Sequence, residues 1–312
     1  MIDAVLSIPA FIIGIIFLWK GSDILVEGTS HTAAKLGISS IIISLIIVAF
    51  GTSAPEFAIS FGAALQNRPD ISLGNIIGSC IANIFLVIGI SSIINPIKIN
   101  KSIIRRELPI FVASSIILFL FSFFGLLDDY HYLGGIIFII FFIMFIVYFI
   151  QCARKERKIT KKYEEGSTKK NILFIILGII GVVIGAWLLI ESAITFADIL
   201  NIPAFVIALS MVAIGTSLPE LVVSSMAAYR GESDIAIGNV LGSNVFNIFL
   251  ILGASALFVP LDAFDSFYHL IFLLIATFIM VPAVHTGHII SRFEGFIFLI
   301  LYCIYIWFIF SY

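Results

Sequence analysis

The chain has 312 residues, 61% of them hydrophobic and only 12% charged, with a formal net charge of −2. A soluble domain of this size carries about twice that charged fraction, and the basic residues form no stripe with interleaved aromatics of the kind that binds nucleic acid. Cys80, Cys152 and Cys303 are scattered without ligand spacing, which suggests neither a disulfide framework nor a zinc site.

Ten apolar segments can be read, each close to or above the roughly 20 residues that cross a bilayer. They run over 4–28, 37–66, 70–95, 103–124, 132–152, 172–197, 203–229, 234–258, 264–284 and 289–310. The Met1-Ile2-Asp3 start lacks the basic region of a cleavable signal peptide, so the first segment reads as a retained helix. That segment carries Lys20 and Asp23, three apart and expected to pair, and Glu27 near its end. The second holds Gly51-Thr52-Ser53-Ala54-Pro55-Glu56, and the third Gly74-Asn75-Ile76-Ile77-Gly78-Ser79 followed by Asn83. Between the fifth and sixth lies the only hydrophilic linker, 153–171. The seventh holds Gly215-Thr216-Ser217-Leu218-Pro219-Glu220, and the eighth Gly238-Asn239-Val240-Leu241-Gly242-Ser243 followed by Asn247.

Loop charges predict the orientation through the positive-inside bias. If both termini face outward, the cytoplasmic loops hold Lys35, Lys98, Lys101, Arg105, Arg106, eight Lys and Arg of the linker, Arg230 and Arg292, fifteen in all. The other side holds only Arg68, beside Asp128, Asp129, Asp198, Asp262 and Asp265.

The second half repeats the first at a constant offset of 164: about half the positions of 48–90 and 212–254 are identical without a gap. The register reaches back to Gly21/Gly185 and Glu27/Glu191. Repeated sequence predicts repeated structure, and copies five helices apart must cross the membrane in opposite directions. The expected fold is therefore all-α and integral to the membrane: ten transmembrane helices as two inverted five-helix repeats, residues 1–152 and 172–312. Helices 2, 3, 7 and 8 are expected to be broken around a midplane ion site, the plan of many secondary transporters.

The repeated motifs carry the chemistry. Pro55 and Pro219 each remove a backbone donor and free a carbonyl upstream, while Gly51 and Gly215 allow a bend. Such groups are tolerated at membrane depth only inside protein or beside a water-lined cavity. A carboxylate at mid-membrane costs on the order of 2.5–3.5 kcal/mol on insertion scales, and no basic residue in the matching helices is placed to pair Glu56 or Glu220. The glycines of the third and eighth helices also suit close helix packing. Ser79 and Asn83, like Ser243 and Asn247, are four apart and share a helix face. All these donors are oxygens, which suit calcium, sodium or magnesium rather than softer metals; calcium tolerates 6–8 oxygens in flexible geometry where magnesium demands an octahedron. Two carboxylates balance one calcium or nearly balance a few sodium ions.

The paired GTSxPE and GNxxGS motifs with their trailing asparagines resemble the two alpha-repeats of the sodium/calcium exchanger family, and the resemblance covers essentially the whole chain. It implies calcium at Glu56 and Glu220 with the carbonyls of Thr52 and Thr216. Sodium positions would be served by Ser53, Ser79, Ser217 and Ser243 and the carbonyls of Ala49 and Ala213, with Asn83 and Asn247 lining the centre. It also implies helices one and six sliding as a gate, and three sodium ions exchanged per calcium. Some members, including potassium-dependent ones, carry Asp where this chain has Asn247. Two formal charges instead of three imply potassium-independent exchange. The expected protein is thus a multi-pass membrane antiporter for Ca2+ and Na+, neither an enzyme nor a cofactor protein, with no obligate protein partner evident. A calcium/proton antiporter on the same fold is the alternative, and a calcium-permeable channel a more distant one.

Overall fold

A computed structural model describes residues 4–159, 168–199, 215–261 and 267–311. Helix α1 (Ala4–Leu36) is followed by α2 (Ser40–Thr52) and α3 (Ala54–Leu65), which meet at a 50° bend. Then come α4 (Pro69–Ile94), α5 (Ile103–Phe123), α6 (His131–Ile159), α7 (Thr168–Ile199), α8 (Leu218–Tyr229), α9 (Ser233–Ala256), α10 (Phe267–His285) and α11 (Arg292–Ser311). Eight of these are long and apolar enough to cross a membrane, and the bent α2–α3 pair makes a ninth span among the described residues. The chain is an all-helical, multi-pass membrane protein.

Two short strands, β1 (Ile97–Lys98) and β2 (Ile289–Ile290), pair antiparallel, with Ile97 opposite Ile290. They tie the α4–α5 connection to the α10–α11 connection. The face carrying the ends of α6 and α7 that flank the 160–167 segment is called the linker face below.

Helix α1 runs 33 residues, about 50 Å at 1.5 Å per residue. It outruns the expected end at 28 because Thr29, Thr32 and Ala33 of its polar-looking tail are buried. Helices α6 and α7 likewise extend into the expected linker, to Ile159 and from Thr168.

Burial separates centre from periphery. In α4 and α9, 83% and 94% of the apolar window is buried, against 22–39% in the other long spans. Exposed Ile, Leu and Phe side chains cover the outer helices, as a lipid-facing surface requires. Helices α1 and α7 pack antiparallel through glycines. A Cβ on Gly21 would lie 2.8 Å from Val182 N, one on Gly178 2.6 Å from Leu25 Cβ, and one on Gly185 2.7 Å from Leu18 N. Real side chains cannot come so close, so the two backbones touch directly.

Breaks at helices 2 and 7 are expected; the structure gives the form of the first, while residues 203–214 of the expected seventh helix lie outside the described residues. Ser53, between α2 and α3, has φ −82°, ψ 8°, and Ser217, ahead of α8, has φ −85°, ψ 5°. Pro55 and Pro219 each sit in the first turn of the helix that follows, where a missing N–H costs least. Gly51 has a further role. A Cβ there would meet the Ile179 side chain of α7 at 2.5 Å, so the glycine also admits a close neighbour. The expected breaks in helices 3 and 8 are corrected: α4 and α9 are continuous and absorb the distortion in π-helical turns, Asn83–Val87 and Phe246–Leu252. An extra residue per turn rotates side chains without severing the helix, a device common at functional sites.

Candidate functional site

The bend at Ser53, the turn at Thr216–Ser217, and the central helices α4 and α9 bring the sequence motifs together. Glu56 and Glu220, in the first turns of α3 and α8, are completely buried. Thr52, Ser53, Ser79, Asn83, Thr216, Ser217, Ser243 and Asn247 are buried with them. A helix N-terminus carries partial positive charge, which favours a carboxylate in its first turn.

One oxygen of each glutamate is engaged. Glu220 Oε1 accepts from Ser53 Oγ at 2.9 Å and from Ser243 Oγ at 3.2 Å, and Glu56 Oε1 accepts from Ser79 Oγ at 3.5 Å. The Ser53 contact joins the first sequence copy to the carboxylate of the second. Ser79 Oγ also lies 3.1 Å from Thr216 Oγ1, which closes the circuit the other way.

Behind the glutamates stands a duplicated frame. Thr52 Oγ1 donates to Asn239 Oδ1 at 3.1 Å, and Asn239 Nδ2 donates to Ser224 Oγ at 3.1 Å. At the offset of 164, Thr216 Oγ1 donates to Asn75 Oδ1 at 3.2 Å, and Asn75 Nδ2 to Ser60 Oγ at 2.8 Å. Asn75, Asn239, Ser60 and Ser224 were not among the expected site residues. Their signal was in the sequence, since each is a polar residue kept in both copies at an apolar depth.

The frame leaves certain buried atoms without hydrogen-bond partners. These are Glu56 Oε2, Glu220 Oε2, Asn83 Oδ1, Ser217 Oγ, and both the Oδ1 and Nδ2 of Asn247. A buried acceptor left unpaired costs about 1–3 kcal/mol, more when charged. Among the described residues no ion pair involves Glu56 or Glu220. Five of the six orphaned atoms are oxygens, a donor set that suits a hard cation.

Other expected residues fall differently. Ala49 O accepts from Ser53 N at 3.0 Å and lies 3.3 Å from Thr52 Oγ1, whose one proton also faces Asn239 Oδ1. Ala213 lies outside the described residues. Gly238 and Gly242 do serve close packing, against Ile41, Ser44 and Leu45 of α2. The expected Lys20–Asp23 pair is corrected: Asp23 Oδ1 binds Arg230 Nη2 at 2.5 Å, and Lys20 Nζ lies over the Trp19 ring. A long-range guanidinium fork outcompetes a neighbour three residues away on the same helix.

Two cavities reach this centre. One of about 630 Å3 lies between α3 and α7, bordered by Ala54, Pro55, Ala58, Trp187 and Glu191, and extends to Gly215 and Thr216. A smaller one of about 140 Å3, walled by Phe50, Phe57, Phe246 and Leu250, reaches Ser53.

Paired buried carboxylates ringed by hydroxyls and amides, inside a multi-pass helical body, define a membrane transporter of hard cations. Comparison with known proteins agrees. The sodium/calcium exchanger protein family matches residues 6–151 and 170–311. The sodium/calcium exchanger MaX1 of Methanosarcina acetivorans is 34% identical over 331 residues, covering 93% of this chain and 95% of the relative. The putative antiporter CaxA of Alkalimonas amylolytica is 33% identical, covering 96% of this chain and 97% of its own. Solved structures of the sodium-calcium exchanger NCX_Mj superpose on 97% of this chain and 98% of theirs. The TM-score is 0.84 for NCX_Mj soaked with zero Na+ and Ca2+, and 0.86 with 2.5 mM Na+ and 1 mM Sr2+, at 34% and 33% identity. The chain belongs to the sodium/calcium exchanger family, a family of ion transporters that need no cofactor.

Proposed function

We propose that this exchanger moves Ca2+ against Na+ by alternating access, through one interior site built from Glu56 and Glu220. The observation that carries the reading is the pair of fully buried glutamates, each with one carboxylate oxygen bonded and the other without a partner. Calcium takes Glu56 and Glu220, with the carbonyls of Thr52 and Thr216. Sodium ions take the serine positions 53, 79, 217 and 243, with the carbonyls of Ala49 and Ala213, and Asn83 and Asn247 line the centre. Two carboxylates neutralise one Ca2+ or nearly neutralise a few Na+, so each ion set can replace the other but not join it.

The mirrored hydrogen bonds through Asn75 and Asn239 support ten helices arranged as inverted repeats, 1–152 and 172–312, joined by 153–171. Fifteen basic residues against one support a cytoplasmic linker face and outward termini. With Asn at 83 and 247 the site holds two formal charges, which supports exchange independent of potassium. A ratio of three sodium ions per calcium moves one net charge per cycle, coupling transport to voltage at about 2.3 kcal/mol per 100 mV.

The test is calcium uptake into proteoliposomes driven by an outward sodium gradient with pH clamped. Uptake without potassium is expected. Uptake driven only by a proton gradient would establish a calcium/proton antiporter instead, and flux without any counter-ion gradient would establish a channel.

A further inference from the structure

The two faces of the molecule are built differently at the places where the repeat makes them equivalent. On the linker face, α1 presents Asp23, Glu27 and Ser30 along one side, at spacings of four and three residues. All three meet the turn between α8 and α9. Arg230 Nη2 binds Asp23 Oδ1 at 2.5 Å and lies 3.7 Å from Glu27 Oε2, Arg230 Nε donates to Asp23 Oδ1 at 2.8 Å, and Ser30 Oγ donates to Glu232 Oε1 at 2.6 Å. Adding 164 gives the counterparts on the opposite face: Trp187, Glu191 and Ile194 for the α1 row, Gln66 for Arg230. Trp187, Glu191 and Ile194 all border the 630 Å3 cavity. The row that meets the α8–α9 turn on one face borders a cavity on the other.

The wall opposite the row differs in the same sense. Ala54 and Ala58 border the open cavity, whereas their counterparts Leu218 and Val222 are larger and pack into the apolar cluster that holds Leu25 and Val26 of α1. The linker face therefore has both fuller apolar packing at this row and a charged clasp.

The clasp also joins two bodies with different attachments. Its acidic side rides on α1, which packs on α7 backbone against backbone at the glycines, a contact through which the two helices would move together. Its basic side sits on a turn held to the rest of the protein. Asn95 Nδ2 donates to Ala228 O at 2.9 Å, Lys98 N to Ser233 Oγ at 3.1 Å, and Asn100 Nδ2 to Asp234 Oδ1 at 2.7 Å. A shift of the α1–α7 pair by even one helical turn, about 5.4 Å, would part Arg230 from Asp23.

We propose that Arg230, with Asp23 and Glu27, forms a one-sided clasp that holds the α1–α7 pair over the linker-face entrance, so that the carrier rests open to the opposite face. This rests on the alternating-access reading above. Arg230 touches no transported ion in this scheme; it is a positioning residue that sets the balance between two access states. Gln66, which stands where Arg230 stands in the other copy, carries no such charge, so the bias runs one way.

The experiment reports the two faces separately. A cysteine placed by Val222→Cys probes the linker-face entrance and one placed by Ala58→Cys probes the opposite one. Both are labelled with a membrane-impermeant maleimide in sided vesicles, against a background in which Cys152 and Cys303 are serine. In the Arg230→Gln background, labelling at 222 is expected to rise about fivefold and labelling at 58 to fall, the factor that about 1 kcal/mol gives. Arg230→Lys should restore most of the original pattern. Should Arg230→Gln not fold, Asp23→Asn with Glu27→Gln removes the same clasp from the other side and carries the same expectation. Unchanged labelling at both positions, in a protein that still performs sodium-driven calcium uptake, overturns the clasp. Loss of sodium-driven uptake in the otherwise unaltered protein overturns the exchange reading instead, so the two failures are distinct.

Discussion

The frame of the site and its centre obey different rules. In the frame, Thr52–Asn239–Ser224 and Thr216–Asn75–Ser60 are the same hydrogen-bond chain built twice, with lengths agreeing to within 0.3 Å. At the centre the equivalence lapses. Asn83 Nδ2 donates to Asn244 Oδ1 at 3.0 Å, but Asn247, its counterpart, has neither amide atom bonded. The cause is one residue: Asn244 answers to Cys80 in the first copy, and a thiol is a poor hydrogen-bond partner for an amide. The difference teaches that duplication fixed the scaffold, while the groups at the centre were free to diverge.

The strongest way to break this comparison is to remove a charge. Glu56→Gln or Glu220→Gln should each weaken calcium binding by about 10- to 150-fold, since charge-assisted contacts are worth about 1.5–3 kcal/mol apiece. Calcium flux and equilibrium calcium titration check this, and near-normal exchange in both variants would refute the paired site. Next, Asn75→Ala and Asn239→Ala should each lower stability by about 1–3 kcal/mol, because each strands a buried threonine and a buried serine. Thermal melting in detergent reads the loss. Similar shifts for the two variants sharpen the claim of a symmetric frame, and very unequal ones break it.

Gly21→Ala should destabilise by about 1–3 kcal/mol, as the new Cβ would lie 2.8 Å from Val182 N and force α1 and α7 apart. Melting should show it, and calcium exchange should slow because the two helices no longer move together. The smallest expected effect sits at the centre. Asn83→Ala should cost about 1 kcal/mol more stability than Asn247→Ala, since only Asn83 loses a bond. Equal melting temperatures would restore symmetry to the centre.

Much of the site could be read from residues alone. A glutamate after proline in an apolar run is costly and rare, and its recurrence at a fixed offset marked Glu56 and Glu220 as one feature. Ser79 with Asn83 and Ser243 with Asn247 followed from helical spacing. The frame residues Asn75, Asn239, Ser60 and Ser224 were harder to see, because each bonds across helices and nothing local distinguishes a frame amide from an ion ligand. The Lys20–Asp23 expectation failed for a related reason: helical spacing proposes local partners, and only the fold could bring in Arg230 from 207 positions away.

By itself, the sequence determined the membrane environment, the repeat and its offset, the two glutamates and the all-oxygen chemistry. Those follow from composition and periodicity, which act along the chain. The tertiary structure decided which hydroxyl serves which carboxylate, that helices 3 and 8 twist through π-turns instead of breaking, and that the row clasped on one face borders a cavity on the other. Those depend on distances between residues far apart in sequence, and a constant offset predicts equivalence but not where equivalence is lost.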